Sequence, residues 1–177
     1  MSLQFDHYSI QPLDTSKPED FYHLIATNRL RLEDFFAGTV AKTMTLEATK
    51  AYCHAIDARV ATKQYIPFII VDRHTNQWVG LLDVKNIDWE SAIAELGYFI
   101  DVNYEGRGLT SKALGLLMNY LKETYPLKQL LCRVASENIA SKQVALRNGF
   151  QFEKKVANDY TTTKGKTVDL DYYVLRL

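Results

Sequence analysis

Between Leu96 and Val134 the chain reads strand, glycine turn, helix, strand, and few folds accommodate that order. Leu96-Gly97-Tyr98-Phe99-Ile100 has strand composition. Gly106-Arg107-Gly108 follows a short polar turn, and a periodic helix opens at once. Over Leu109 to Thr124 an apolar stripe of Leu109, Ala113, Leu114, Leu117 and Leu121 is broad enough to pack on a sheet. Pro126 stops this helix, and Leu127 to Val134 is again a strand. A helix joining two strands of one sheet makes them parallel neighbours. The glycines let main chain approach a ligand closely. The first amides of the helix have no partner within it and carry the positive end of its dipole, which suits phosphate. A lone Gly-x-Gly also serves as a plain tight turn, so the rest of the chain decides between the two.

The order of the remaining parts is informative. Tyr8 to Leu13 alternates as a first strand. Pro18-Glu19-Asp20 opens a helix whose buried face carries Phe21, Leu24 and Ile25. Asn28 to Ala37 reads as a second helical piece ending at Gly38, with Phe35 and Phe36 expected in the core. Thr45 to Thr62 is a stronger helix. Tyr65 to Val71, where Pro67 suggests an edge or bulge, then Trp78 to Val84 and Ala92 to Ile100 form an antiparallel meander. Ser136-Glu137-Asn138 leads into a helix from Ile139 to Asn148, closed by Gly149. Strands over Phe150 to Val156 and Val168 to Leu175 finish the chain. The loop between them holds Lys164-Gly165-Lys166, most simply a solvated turn. These elements predict one α+β domain over residues 1–177 with a mixed sheet of about seven strands.

Composition removes several function classes. Lys plus Arg and Asp plus Glu both number 21, and this balance gives no support to a nucleic-acid or membrane surface. The N-terminal segment lacks a basic stretch followed by an apolar core, so no signal peptide is expected. No apolar run approaches a membrane span, and a cytoplasmic location is the default expectation. Cys53 and Cys132 lie far apart and are expected to be buried apolar side chains. The four histidines, His7, His23, His54 and His74, are scattered, and no metal is expected.

The whole order of parts resembles the GNAT superfamily of acetyl-coenzyme A-dependent N-acetyltransferases. The family's cofactor motif is Gln/Arg-x-x-Gly-x-Gly/Ala, and Asn103-Tyr104-Glu105-Gly106-Arg107-Gly108 fills it with Asn in first place. Within the superfamily the chain is most similar to the bacterial group of ribosomal-protein N-terminal (alanine/serine) acetyltransferases. That likeness rests on Asn28-Arg29 to Tyr52, on Glu95-Leu96-Gly97-Tyr98, and on Glu137-Asn138-Ile139-Ala140-Ser141 running to Asn148-Gly149-Phe150.

The resemblance implies a three-layer α/β/α fold whose mostly antiparallel sheet splays between its fourth and fifth strands. It implies that amides from Glu105 through Gly106, Arg107, Gly108 and Leu109 to Thr110 hold the pyrophosphate of acetyl-coenzyme A. The main chain of Tyr98, Phe99, Ile100, Asp101 and Val102 would pair with the pantetheine arm, and the amide of Phe99 or Ile100 would stabilise the oxyanion. Asn138 and Ser141 would lie beside the pantetheine and the sulfur. Glu95 is the candidate base, with Asp159 as its rival, and Ser141 is the candidate acid. The tyrosine acid of many relatives falls here on Ala145; Tyr160 is another nearby donor. The acceptor is a primary amine, either a protein N-terminus or a small molecule such as a polyamine, amino acid or antibiotic. A non-catalytic acyl-coenzyme A sensor is the reading from another class. A homodimer is compatible with the resemblance.

Overall fold

The computed structural model describes residues 2–177. Its eight strands form one sheet in the order β1-β2-β3-β4-β5-β6-β8-β7. In chain order these are β1 (Leu3–Phe5), β2 (Tyr8–Pro12), β3 (Ile66–Asp72), β4 (Gln77–Asp88), β5 (Ile93–Ile100), β6 (Gln129–Ala135), β7 (Gln151–Thr161) and β8 (Thr167–Arg176). Helices α1 (Pro18–Leu32), α2 (Ala37–Lys42) and α3 (Leu46–Ala61) intervene between β2 and β3; α4 (Leu109–Thr124) follows β5 and α5 (Ile139–Arg147) follows β6. Every neighbouring pair of strands is antiparallel except β5 and β6, which α4 connects. No helix among the described residues is long and apolar enough to cross a membrane.

Two apolar clusters cover the two faces of the sheet. Leu114, Leu117 and Leu121 of α4 pack with Phe68, Leu82 and Leu96, and Ala145 of α5 joins them. On the other face Phe21 and Leu24 of α1, Val40 of α2 and Ile56 of α3 pack with Ile69, Leu81 and Phe99. Strand side chains alternate between these clusters, as the pleat requires.

Four sequence expectations change. The sheet gains β1, a three-residue strand that pairs with β2 across the Asp6-His7 turn, so eight strands replace seven. The expected break at Asn28 does not occur, because α1 runs unbroken to Leu32. Asn28 instead faces inward: its amide donates to Asp101 at 2.8 Å and its carbonyl accepts the Val102 N–H at 3.0 Å. Pro67 lies on an interior strand. Its carbonyl accepts from Leu13, so its nitrogen faces the same neighbour just past the end of β2, and its missing N–H omits only the return bond to Leu13. Phe36 packs edge-on to Phe99, but Phe35 is 39% exposed rather than in the core.

Candidate active site

The parallel pairing of β5 and β6 lasts three residues, from Ile93↔Gln129 to Glu95↔Leu131. Beyond Glu95, β5 stays with β4 as far as Ile100 and β6 stays with β8 as far as Ala135. The two strands therefore part, and a cavity of about 800 Å³ occupies the gap. Its walls come from the end of α1, the parted strands, the glycine turn and α5.

The register decides which main-chain groups face the gap. The Asp101 N–H donates to Val79 of the β4 side at 2.7 Å. Main-chain polar groups alternate sides along a strand, so those of Phe99 also face β4. Those of Tyr98 and Ile100 face the gap, and Arg31 reaches the Ile100 carbonyl at 3.4 Å. The paired proposal of Phe99 or Ile100 as amide donor thus narrows to Ile100, with Tyr98 one step deeper. Asp101 and Val102 do not line the cavity: both amides are taken, by Val79 and Asn28, and the Asp101 carboxylate accepts from Asn103.

At the far end, Gly106 and Gly108 both have φ +72°, and a Cβ on either would meet nothing within 4 Å. Left-handed backbone, not crowding, is what calls for glycine here. Gly108 precedes the first turn of α4 with no side chain capping it. The Leu109, Thr110 and Ser111 amides consequently lack helical partners, and open space lies beside the turn. This is a fit for a phosphate-bearing group. Glu105 forms an ion pair with Arg31, which ties the turn to α1. Arg107 turns away from the cavity, donating to the Asn103 carbonyl at 2.9 Å and lying over the Tyr104 ring.

On the α5 wall, the Asn138 carbonyl oxygen caps the helix by accepting the Ser141 N–H at 3.1 Å. Since Asn138 performs this task, the Ser141 hydroxyl is not needed to cap the helix, and it lies beside the Tyr98 hydroxyl. The Tyr98 hydroxyl donates to the Ser141 carbonyl at 2.9 Å, and burial pushes that phenol far above its ordinary titration range. Burial likewise pushes the Cys132 thiol up, so this cavity-lining sulfur stays protonated.

Glu95 sits where the strands part. One carboxylate oxygen accepts from Asn86 at 2.7 Å and from Arg133 at 2.9 Å; the other lies 3.9 Å from the Lys85 ammonium. Lys85 is also 3.7 Å from Asp83. Burial works against charge on both cations, but Asp83 and Glu95 outweigh it for Lys85 and Glu95 does so for Arg133, so both pKa values rise. Gly97 makes room for this cluster: a Cβ there would fall 2.3 Å from Asp83 and 2.8 Å from the Lys85 nitrogen. Asp159 does not line the cavity; it accepts from Tyr172 at 2.6 Å and lies 3.7 Å from Arg133. The Tyr160 hydroxyl does reach the cavity wall, accepting the Ala37 N–H at 2.7 Å.

The sequence reading named none of Arg31, Lys85, Arg133, Gln143, Val144 and Arg147 as site residues, and all line the cavity. The α5 members recur with Ala140 at helical spacing, a detectable signal. Arg133 follows Leu131 by the strand period of two, but its meeting with Glu95 depends on register.

A sheet parted at its centre, with an uncapped helix start at one end of the gap and a carboxylate at the other, defines a protein that can hold an extended phosphate-bearing ligand against a polar reaction chamber. The acetyltransferase (GNAT) domain family model matches residues 10–151, and the chain belongs to that family. An uncharacterized N-acetyltransferase, p20, of Bacillus licheniformis is 30% identical over 61% of this chain and 60% of its own length. A putative ribosomal N-acetyltransferase, YdaF, of Bacillus subtilis (strain 168) is 29% identical over 96% of this chain and 91% of its own. The chain thus spans under two thirds of the first relative and most of the second. Among solved structures, RimL, a ribosomal L7/L12 alpha-N-protein acetyltransferase in complex with coenzyme A, superposes with a TM-score of 0.90 at 19% identity, covering 100% of this chain and 98% of that one.

Proposed function

We propose that the chain is an acetyl-coenzyme A-dependent N-acetyltransferase whose acceptor is the α-amino group of a protein. The observation that carries the acceptor class is the charge of the cavity. Arg31, Lys85, Arg133 and Arg147 line it against Asp34, Glu95 and Glu105. A polyamine needs an acidic groove, and this one is not acidic. A single terminal amine instead suits a chamber in which Lys85 and Arg133 are already matched by Asp83 and Glu95, leaving no surplus acid for further cationic groups. The mouth, edged by the exposed side chains of Leu30 and Phe35, suits an extended peptide. The names of YdaF and RimL point to the same acceptor class.

Acetyl-coenzyme A would supply an activated thioester. The amides that open α4 would hold its pyrophosphate, and the gap-facing main chain of Tyr98 and Ile100 would align its arm as a strand-like partner. The Ile100 N–H would donate to the thioester carbonyl oxygen as charge builds on it. Glu95, through the oxygen not saturated by Arg133 and Asn86, would take the amine proton by way of a water, and the Ser141 hydroxyl would protonate the leaving sulfur. Both reactants are bound together, so the amine attacks directly.

Mass spectrometry after incubation with acetyl-coenzyme A, using peptides with free or blocked N-termini alongside polyamines, amino acids and aminoglycosides, tests this reading. Acetylation of free peptide termini is expected. Turnover of polyamines with peptides untouched would overturn the acceptor class. Binding of coenzyme A with no member acetylated would turn the reading toward a sensor.

A further inference from the structure

Away from the gap, the fold gathers two of the four histidines. The β1–β2 turn brings His7 opposite Arg73, whose N–H donates to the His7 carbonyl at 2.9 Å. The β3–β4 turn then places His74 over His7 with ring centroids 4.5 Å apart and planes within 5°. Asp72, buried at the end of β3, completes the group, and the potential ligand atoms of all three lie within 4.8 Å of one another.

We propose that His7, Asp72 and His74 form a binding site for a divalent transition-metal ion of the zinc type. Two imidazoles and a carboxylate are the nitrogen and oxygen donors such ions take, with a fourth position left to water. Asp72 is already oriented as a ligand. One of its oxygens accepts the His74 main-chain N–H at 2.9 Å and the other accepts the Tyr104 hydroxyl at 3.2 Å, contacts of the kind that orient metal-bound carboxylates. Each oxygen keeps a lone pair. His74 is exposed and gives the ion a way in. Bonds near 2.0–2.1 Å need donors about 3.3 Å apart in a tetrahedral set, so binding would require the exposed His74 ring to turn out of its stack. The ion would cross-link the β1–β2 and β3–β4 turns. Through Tyr104 it would also adjoin the segment that leads into Gly106.

The test is isothermal titration of the chelator-treated full chain with zinc chloride, paired with thermal unfolding. One zinc per chain and a raised unfolding midpoint are expected. His74→Gln and His7→Gln should each weaken binding by more than the roughly 10–100-fold that loss of a mere outer partner brings. Neither residue is in the core, and circular dichroism would verify folding of each variant. Equal zinc binding by wild type and both variants would place the ion elsewhere and overturn the site. No heat and no midpoint shift in the wild type would overturn it as well.

Discussion

At the residue scale, the division of labour at the start of α5 sets up the clearest test. In many helices a serine near the N-terminus spends its hydroxyl on the backbone. Here Asn138 does the capping, so Ser141 is not needed for the helix to start. Ser141→Ala should therefore leave the unfolding midpoint unchanged while lowering kcat by roughly the 10²–10⁴-fold typical of general acid–base catalysis. Steady-state kinetics alongside thermal denaturation separate the two, and full turnover in the variant would remove Ser141 as the acid. The residue scale also shows what a sequence can carry. Gly106 and Gly108 were legible because only a few residue types tolerate positive φ. The choice between Phe99 and Ile100 was not legible: adjacent residues on a strand differ only in which neighbour they face, and that is fixed by pairing with β4. Asp159 was similarly beyond reach. The β7–β8 register shifts between Val156 and Tyr160, and Asn158 takes φ +52°, so no count along the strand could tell that Asp159 would meet Tyr172.

At the element scale, α5 must hold its place while one wall of the cavity depends on it. Lys142 reaches from this helix to Asp171 of β8 at 2.6 Å, and Ser136 donates to the other oxygen of Asp171 at 2.6 Å. Burial raises the Asp171 pKa, but the hydrogen bonds from Lys142 and Ser136, with the charge of Lys142, outweigh it and hold the carboxyl below its ordinary value. A folded pKa below the unfolded one means stability present above the unfolded value, near 3.9, and lost as pH falls through the folded one. Asp171→Asn should thus destabilise the protein by about 1.5–3 kcal/mol at neutral pH, the worth of hydrogen bonds to a charged group. Urea unfolding across pH should show that difference hold down to the ordinary carboxylate range and close below it; a difference independent of pH would assign the loss to packing alone. Elements themselves were mostly legible. The stripe on α4 and the Thr45 cap of α3, whose hydroxyl accepts the Ala48 N–H at 3.1 Å, mark those helices in the sequence. The continuity of α1 was hidden because Asn28, polar yet buried, finds its partners Asp101 and Val102 far along the chain.

At the scale of the whole molecule, the sheet is continuous at the bottom of the β5–β6 seam and open above Glu95, with one helical layer on each face. The open stretch leaves strand edges that a ligand could complete, and this yields a test that depends on the alternation of main-chain groups alone. Without coenzyme A, the Tyr98 and Ile100 amides face the cavity and should exchange hydrogen rapidly. The Asp101 amide, bonded to Val79, and the Phe99 amide, directed at β4, should be protected. Adding coenzyme A should slow exchange at Tyr98 or Ile100, whichever amide the arm engages, while leaving Phe99 and Asp101 nearly unchanged. Amide exchange resolved by residue would show the period of two directly. A ligand that merely stiffened the whole domain would protect all of these amides by mass action, by about 2.7 kcal/mol at a hundredfold excess over Kd for those that exchange through global unfolding. Uniform protection without the alternation would therefore rule out strand-like pairing in the gap even if coenzyme A bound tightly. Protection confined to the amides of Leu109 to Ser111 would limit the contact to the uncapped start of α4.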